Sequence, residues 1–186
     1  MLTLKENDLI GLGGVRSCYK HPDNPRRCIK IFHNYSSYSN KLHKMEVNEL
    51  NRLSKKSFKL VVPKYYGSIM TNFGEGHIFD LIQTSKGKIC LNLKDYLTRH
   101  PQEVERSITQ IYRLLMESSG IFVDLRMENI LVIEGEESVR YAIIDGFGEG
   151  TFVKICSLIP FLGRRKTTRK WKKVLPSIRA LQNKRK

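Results

Sequence analysis

The order in which strand-like and helix-like segments follow one another is the feature of this chain that most constrains its fold. Residues Val15 to Lys20 and Arg27 to Phe32 are rich in β-forming side chains and flank a turn-forming stretch, which predicts a hairpin. A helical pattern follows over Lys41 to Ser54, and further short strands are expected near Val61 to Ile69 and Gly76 to Ile82. The first part of the chain is therefore predicted to be β-rich with one helix.

The second part of the chain is predicted to be mostly helical with one small hairpin. Helices are expected over Leu93 to Leu97 and from about Gln102 to Ser118, where Ser-Ser-Gly120 is a usual helix stop. Two apolar runs, Ile130 to Ile133 and Tyr141 to Ile144, bracket a turn-like stretch and predict the hairpin. The order of elements therefore indicates an α+β fold of two lobes.

Charge divides the chain in a way that agrees with this order. The 186 residues carry 33 Lys and Arg against 18 Asp and Glu, a formal net charge of +15, yet every acidic residue lies at or before Glu149. Residues 1–149 hold 21 basic and 18 acidic side chains, whereas residues 150–186 hold 12 basic side chains and no acidic one. We therefore predict three parts: a β-rich lobe (1–82), a small helical lobe (83–150) and a basic helical tail (151–186).

The composition excludes several classes of protein. With 40% hydrophobic and 27% charged residues the chain can bury a core, which excludes wholesale disorder. Charges close to Met1 argue against a secretory signal, and no run approaches the roughly 18 apolar residues of a membrane span. The four cysteines are scattered without a C-x-x-C pair, so we expect reduced thiols, no metal cluster and a cytoplasmic protein.

A glycine-rich turn and a strand lysine form the first half of a candidate site. Gly11-Leu-Gly-Gly14 ends the predicted first strand, where small residues let backbone N–H groups approach an anion. Lys30 lies in an apolar strand, where it either reaches solvent along its stem or needs a buried anionic partner. The next helix offers Glu46 and Glu49. We prefer Glu46, because apolar residues at +1, +4 and +7 place it at the edge of a buried helix face.

Two loops supply the second half of the candidate site. Asp124-Leu-Arg-Met-Glu-Asn129 precedes an apolar strand, so that Asp124 can orient a hydroxyl group while Asn129 holds a divalent metal ion. Between them, Arg126 can meet the charge of a transferred phosphoryl group. Asp145 ends a buried strand ahead of glycines and suits Mg²⁺, although Asp-Gly is also the commonest hairpin turn. Each of these features has a plain structural interpretation when it is taken alone.

Taken together, the features resemble the protein-kinase signature set. Asp124 to Asn129 is close to the kinase pattern D-L-K-P-E-N, with Arg126 in the position of the lysine. Lys30 and Glu46 lie 16 residues apart, and Asp124 and Asp145 lie 21 apart. Chance rarely orders so many weak signals, so the set favours a protein-kinase-like two-lobed fold with a truncated helical lobe.

A closer resemblance is to the YrbL family of small bacterial kinase-like proteins, over nearly the whole chain. The segments that carry it are Gly11-Leu-Gly-Gly14, Cys18-Tyr-Lys-His-Pro22, Arg27-Cys-Ile-Lys-Ile31, Pro63-Lys-Tyr-Tyr-Gly67, Gly76-His-Ile-Phe-Asp-Leu-Ile82, Asn129-Ile-Leu131, Asp145-x-x-Gly148-Glu149 and the basic stretch Arg164 to Lys173 with its Trp171. This resemblance implies a kinase-like fold and ATP binding, with an unidentified substrate.

These motifs predict an ATP- and Mg²⁺-dependent phosphotransferase acting on an unidentified hydroxyl group of a protein, a sugar or a lipid head group. The residues expected to bind ATP are Gly11, Gly13, Gly14, Lys30, Phe79, Asp80 and Leu81. The expected catalytic residues are Asp124, Arg126, Lys30 and Glu46. The expected Mg²⁺ ligands are Asn129 and Asp145. The alternative is a pseudokinase or regulatory module that keeps the nucleotide pocket but moves no phosphoryl group.

Departures from the general kinase pattern bear on this function. Phe122-Val123 replaces the His-Arg that precedes the catalytic Asp, one extra residue interrupts the D-F-G motif, and no A-P-E motif follows. The chain has 41 residues after Asp145, too few for a full activation segment and a large helical lobe. We therefore expect neither regulation by an activation-loop phosphate nor the ordinary docking of peptide substrates.

The basic tail has three interpretations. Phe152 to Leu162 is largely apolar, and Arg164 to Lys173 follows directly. Residues 152–186 therefore suit a helix lying on an anionic membrane surface, at the inner face of the membrane, or, less well, a nucleic-acid grip with Trp171 as a stacking aromatic. In the third interpretation the tail is a solvated basic helix whose apolar positions pack on the body: Val174, Ile178 and Leu181.

Overall fold

In the computed structural model, which describes residues 1–136, 138–148 and 160–182, the N-terminal part of the chain forms a five-stranded antiparallel sheet. Its strands are β1 (Leu9–Leu12), β2 (Arg16–His21), β3 (Asn24–Phe32), β4 (Tyr65–Thr71) and β5 (Gly74–Asp80). They lie in the order β1-β2-β3-β5-β4, and β2 with β3 is the first predicted hairpin. Helix α1 (Ser37–Ser54) connects β3 to β4.

Helix α1 begins before the predicted start at Lys41. The Ser36 Oγ accepts a hydrogen bond from the Ser39 backbone N–H at 3.2 Å, and the Ser39 Oγ accepts one from the Ser36 N–H at 2.7 Å. This reciprocal cap satisfies two of the donors that a helix start leaves open. The apolar pattern missed this first turn, because residues 37–40 contain no aliphatic side chain.

The second part of the chain combines helices with a three-stranded sheet. The strands β6 (Leu91–Asn92), β7 (Ile130–Glu134) and β8 (Val139–Ile143) lie in that order, and β7 with β8 is the second predicted hairpin. Helices α2 (Leu93–Arg99) and α3 (Val104–Ser118) precede the hairpin, and α4 (Pro160–Arg179) follows it. The predicted α+β architecture, with a β-sheet lobe and a helical lobe, is confirmed.

Val61 connects the two lobes instead of extending β4 as predicted. Its N–H donates to the Tyr141 carbonyl at 3.0 Å, and its own carbonyl accepts from the Ile143 N–H at 3.0 Å. Val61 thereby forms a parallel bridge with Ala142 of β8. Pro63, which has no N–H, separates this bridge from β4. The bridge therefore fixes the β-rich lobe against the hairpin that carries the candidate site loops.

The end of α3 differs in detail from the expectation. The residue in the left-handed region is Ser119, with φ 51°, and not the glycine that follows it. A Cβ atom on Gly120 would lie 2.5 Å from the ring of Phe122, so glycine is needed there for space. The helix stop was correctly placed, but for a different physical reason.

Helix α4 packs against α3. The predicted burial of Ile178 and Leu181 is confirmed, Val174 is half-buried, and Trp171 is only 2% exposed. Trp171 is therefore unavailable for stacking on a nucleic-acid base. The apolar stretch 152–159 lies outside the described residues. Neither α4 nor any other helix in the described part of the chain combines the length and the apolarity needed to cross a membrane.

Candidate active site

Lys30 faces the space between the lobes, because side chains alternate along a strand. Ile29 and Ile31 pack on the outer side of the sheet, whereas Lys30 is 7% exposed and points towards α1. Its Nζ lies 3.4 Å from the Glu46 Oε1 and donates to the Ile144 carbonyl at 2.6 Å. Burial is the largest influence and acts to lower the pKa of Lys30, but the negative charges of Glu46 and Asp145 contribute to raising it, and the net result is a raised pKa. The lysine is therefore charged.

The two glutamates of α1 have different partners. Glu46 accepts from Lys30, as preferred from the sequence. Glu49 pairs with the Arg52 Nη2 at 2.6 Å and accepts the Ile121 backbone N–H at 2.8 Å. Both carboxylates are buried, and a buried carboxylate needs such partners. Glu46 thus belongs to the candidate site, while Glu49 anchors α1 to the segment that leads into the first site loop.

The loop from Asp124 to Asn129 brings three predicted side chains together. A short 3₁₀ turn, Met127–Asn129, orients the Asn129 side chain, whose Nδ2 donates to the Asp124 carbonyl at 3.1 Å. The Arg126 Nη2 lies 2.6 Å from the Asp124 Oδ2. The side chain of Asp124 is 46% exposed and that of Arg126 is 63% exposed, so both lie where a substrate could reach them.

Asp145 lies across the cleft from this loop and is held by two donors. Its Oδ1 accepts the Gly146 backbone N–H at 2.8 Å and the Arg16 Nη2 at 2.5 Å. Burial acts to raise the pKa of this carboxyl group, but the positive charges of Lys30 and Arg16 outweigh it and lower the pKa to about 2. Asp145 is therefore ionised at neutral pH, as a ligand of a divalent cation must be.

The extra residue in the D-F-G-like motif, Gly146, joins the two site loops. Its φ is +78°, and a Cβ atom there would lie 2.6 Å from the Asp124 carbonyl oxygen. Its own carbonyl accepts the Val123 N–H at 2.8 Å. The bend directs Phe147 into the core, where its ring packs on Phe122. The two departures from the kinase pattern, Phe122 and the extra glycine, are therefore parts of one arrangement.

Arg16 lies at the centre of the site, although no motif pointed to it. Its side chain is 12% exposed, with Nη1 2.5 Å from the Glu46 Oε2 and Nη2 2.5 Å from the Asp145 Oδ1. In the β2–β3 hairpin Arg16 lies opposite Phe32, and Cys18 lies opposite Lys30. Strand alternation therefore places Arg16 on the same face as Lys30, which is the one sequence signal that could have identified it.

The glycines of the predicted phosphate-binding turn do not all reach the cleft. Gly13 and Gly14 line it, and the Gly13 N–H donates to the Arg16 carbonyl at 2.9 Å. Gly11 instead lies within β1, paired with Cys18 of β2. The turn itself, and not the strand before it, is thus positioned over the cleft.

The residues predicted to contact adenine lie outside the lining of this cleft. Phe79 is fully buried, with its ring centroid 4.7 Å from the Lys30 Nζ. The N–H of Asp80 donates to the Lys64 carbonyl at 3.1 Å, and the N–H of Leu81 donates to the Arg26 carbonyl at 2.9 Å. Because these two backbone donors are engaged within the protein, adenine recognition by this segment stays a prediction.

A cleft of about 380 Å³ opens between the lobes, and Asp124, Asn129 and Asp145 line it together. The Asp145 carboxylate and the Asn129 carboxamide offer oxygen ligands, which Mg²⁺ prefers. The Arg16 guanidinium shows that Asp145 can hold a cation here. Within the described residues no group of three or more His, Cys, Asp and Glu side chains could hold a metal ion. Asp145 and Asn129 alone would leave a Mg²⁺ ion to take its remaining ligands from water and phosphate.

Comparisons with known proteins bear on the family and the fold of this chain. The family described as "PhoP regulatory network protein YrbL" matches residues 2–179. Two proteins called "Uncharacterized protein YrbL", from Escherichia coli (strain K12) and Shigella flexneri, are each 27% identical over 182 residues, covering 94% of this chain and 87% of theirs. The resemblance to the YrbL family is thus confirmed.

Solved structures show the same fold as this chain. The kinase domain of PknI from Mycobacterium tuberculosis is similar with a TM-score of 0.60 in a mutant form and 0.58 in the crystal structure without that mutation. The sequence identities are 11% and 10%, and each match covers 93% of this chain and 72% of the kinase domain. The predicted protein-kinase-like fold is therefore confirmed.

Proposed function

Because the chain belongs to the PhoP regulatory network protein YrbL family and has a protein-kinase-like fold, we propose that it is an ATP- and Mg²⁺-dependent phosphotransferase. The observation that carries this proposal is the convergence of Glu46, Asp124, Asn129 and Asp145 on one cleft, with Lys30 held behind it by Glu46. The acceptor is a hydroxyl group of a protein, a sugar or a lipid head group.

The side chains of the cleft divide the work of such a transfer. Lys30, held by Glu46, binds phosphate oxygens of ATP, and the turn at Gly13 and Gly14 covers the phosphates. Asn129 and Asp145 hold Mg²⁺, which when bound supplies positive charge to the phosphate oxygens. These contacts bind and orient the nucleotide before any bond changes.

The transfer itself depends on the loop that carries Asp124. Its carboxylate orients the acceptor hydroxyl and takes its proton as the new P–O bond forms and the bond to the leaving ADP oxygen breaks. Arg126 meets the charge that spreads over the transferred phosphoryl group. Since phosphoryl transfer needs positioning more than covalent chemistry, the contact between Gly146 and Asp124 matters, because it fixes one loop against the other.

Two substitutions test the proposal by separating binding from turnover. Asp145→Ala should abolish the thermal stabilisation by Mg²⁺-ATP. Asp124→Asn should keep that stabilisation and lower ATP-dependent phosphotransfer by about 10²–10⁴-fold. Asp23→Asn, an exposed carboxylate in the β2–β3 turn, is the matched control and should change neither readout. Absence of any stabilisation of the wild-type protein by Mg²⁺-ATP would contradict the proposal.

A nucleotide-binding pseudokinase is the second candidate, and one contact favours it. The Asp145 carboxylate is already paired with Arg16, which a permanently metal-free site would also show. The two candidates differ in ATP consumption across a screen of protein, sugar and lipid hydroxyl acceptors. Label transferred from [γ-³²P]ATP to any acceptor, and lost in Asp124→Asn, supports the phosphotransferase; binding of ATP without consumption supports the pseudokinase.

The exposed face of α4 suits contact with an anionic membrane surface, and we include this contact in the proposal. Phe161 is 69% exposed at the start of the helix. The exposed cations that follow are Arg164, Arg165, Arg169, Lys172 and Lys173. Arg165, Arg169 and Lys172 are spaced by four and three residues and so share one helix face, with Arg164 and Lys173 at its edges. Each cation near an anionic leaflet is worth about 1 kcal/mol. Nucleic acid fits less well, because Trp171 is buried.

Vesicle binding tests this surface. The wild-type protein should sediment with phosphatidylserine-containing vesicles, and not with phosphatidylcholine vesicles, in a salt-dependent way. Arg165→Glu, Arg169→Glu and Lys172→Glu together should abolish sedimentation. The same charge reversal at Lys5, Lys20 and Lys86, which are exposed away from α4, should have a much smaller effect. Equal losses in the two variants, or preference for RNA over vesicles, would contradict membrane contact.

A further inference from the structure

Arg16 occupies the carboxylate that the proposed function gives to a metal ion. Its Nη2 lies 2.5 Å from the Asp145 Oδ1, and that same oxygen also accepts the Gly146 N–H. One of the two oxygens of Asp145 is therefore fully engaged inside the protein. A divalent cation that binds this carboxylate meets a positive charge already in place.

The Arg16 guanidinium cannot avoid repulsion by a bound cation through deprotonation. Arginine stays protonated in proteins, and Arg16 sits beside two carboxylates with its side chain 12% exposed. Lys30 and Arg16 together balance Glu46 and Asp145, so the cluster is neutral without a metal ion. A divalent cation at Asp145 adds two positive charges next to the guanidinium. The Asp145 side chain is 42% exposed, so water weakens the repulsion, but the Arg16 side chain is only 12% exposed and the like charges still repel.

Glu46 provides the position to which Arg16 can withdraw. Arg16 Nη1 already contacts the Glu46 Oε2, and Nη2 lies 3.4 Å from the Glu46 Oε1. At present Arg16 bridges Glu46 and Asp145. A small movement of its guanidinium away from Asp145 therefore gives a bidentate Arg16–Glu46 pair, the favoured geometry of an arginine–carboxylate ion pair. Lys30 shares the Glu46 Oε1 at 3.4 Å, so this movement weakens that contact, while the Ile144 carbonyl at 2.6 Å still holds the Lys30 Nζ.

We propose that Arg16 competes with the divalent cation for Asp145, and that metal binding moves its guanidinium group onto Glu46. This inference rests on the proposed metal- and nucleotide-binding role of the cleft. Arg16 follows the glycine turn directly, and its carbonyl accepts the Gly13 N–H at 2.9 Å. The metal ion is thereby coupled to the turn that covers the phosphates. Arg16 acts through other groups and is a positioning residue.

Direct titration with Mn²⁺, followed by the electron paramagnetic resonance of the free ion, tests the competition on the full chain without nucleotide. Arg16→Gln and Arg16→Met remove the charge and should bind Mn²⁺ at least about tenfold more tightly than the wild type. Adding Asp145→Asn to either variant should remove the gain. Arg113→Gln, which breaks an exposed ion pair with Glu117 on α3 and lies outside the cleft lining, should stay within about threefold of the wild type.

A measurement on the wild-type protein covers the case in which the variants do not fold. The ¹⁵Nε resonance of Arg16 should shift on addition of Mg²⁺ and saturate, and it should not shift in Asp145→Asn. The proposed competition would be contradicted by either of two results. One is a Mn²⁺ affinity of folded Arg16→Gln that equals or falls below that of the wild type. The other is an Arg16 ¹⁵Nε resonance that does not shift on addition of Mg²⁺. If the wild-type protein then still binds Mg²⁺-ATP and transfers phosphate, the proposed function stands without it.

Discussion

Phe122 and Phe147 pack against each other with ring centroids 5.7 Å apart. Phe122 lies two residues before Asp124, and Phe147 lies two residues after Asp145, so this contact joins the two site loops beneath the cleft. Both rings are almost fully buried, and a bridge pairs the two backbones at the same point. The separation between the proposed catalytic and metal-binding carboxylates is therefore set by an apolar contact.

Removal of the Phe147 ring should destabilise the protein strongly. Phe147→Ala leaves a cavity beneath the cleft and should lower the free energy of unfolding by about 3–5 kcal/mol, whereas Phe147→Leu should cost less. Phe161→Ala, at a ring that is 69% exposed, should change it by less than about 0.5 kcal/mol. Urea unfolding monitored by circular dichroism measures all three. Equal effects at the two positions would contradict the role given to the Phe122–Phe147 contact.

Alanine substitutions at two glycines with positive φ distinguish the cost of backbone strain from the cost of a steric clash. Gly74→Ala, at φ +101° in open space, should cost about 1–2 kcal/mol of unfolding free energy from strain alone. Gly146→Ala, at φ +78°, also brings a Cβ to 2.6 Å from the Asp124 carbonyl and should cost more.

The two variants should also differ at the site. Since the Gly146→Ala side chain displaces the Asp124 loop, this variant should lose phosphotransfer, while Gly74→Ala should keep it. Unfolding midpoints and turnover of purified protein check the pair. A Gly146→Ala variant as active as Gly74→Ala would show that the loop contact does not position Asp124.

Stability should fall in mild acid because of two stacked imidazoles. His43 of α1 and His77 of β5 are buried with ring centroids 3.6 Å apart, and within the described residues His43 Nδ1 and both nitrogens of His77 lack a hydrogen-bond partner. Burial, and then the neighbouring His77, lowers the pKa of His43 from 6.5 to about 4. Its neutral form is therefore favoured by folding. The resulting stability is complete above about pH 6.5 and is lost as the pH falls towards 4, by about 3 kcal/mol.

The variant His43→Phe tests this pH dependence. It keeps a ring against His77 but removes one titrating group, so the melting temperature should fall less between pH 7 and pH 5 than in the wild type. His21→Phe changes a histidine at the end of β2, away from the stacked pair, and should leave the wild-type slope unchanged. Parallel melting curves for His43→Phe and the wild type would contradict the assignment.

The sequence was sufficient for the parts of the site that depend on local pattern. Side-chain alternation along β3 and the apolar spacing of α1 are enough to predict that Lys30 and Glu46 face each other. The two site loops follow recognisable sequence motifs. Arg16 was missed because its partner Asp145 lies 129 residues away, and only the assembled fold brings them together. The Ser36 cap was missed because polar hydrogen bonds define that helix start, and apolar periodicity does not record them.

Helix α4 should be required for the stability of the helical lobe. Trp171→Ala removes a ring that is 2% exposed and should cost about 3–5 kcal/mol, whereas Lys172→Ala at the next, exposed position should cost less than about 0.5 kcal/mol. Chemical denaturation of both variants provides the comparison. A small effect of Trp171→Ala would mean that α4 adds little to the packing of the core.

The Thr167 Oγ1 of α4 donates to the Gly120 carbonyl at 3.0 Å and so connects a late segment of the chain to the residues that precede the first site loop. Trp171 lies in the same core cluster as Phe122 and Leu125, on either side of Asp124, yet it is synthesised 49 and 46 residues after them. On the ribosome the β-rich lobe can form early, but the support beneath the site loops is complete only after α4 has emerged. The order of translation therefore delays a fully packed site until most of the polypeptide has left the exit tunnel.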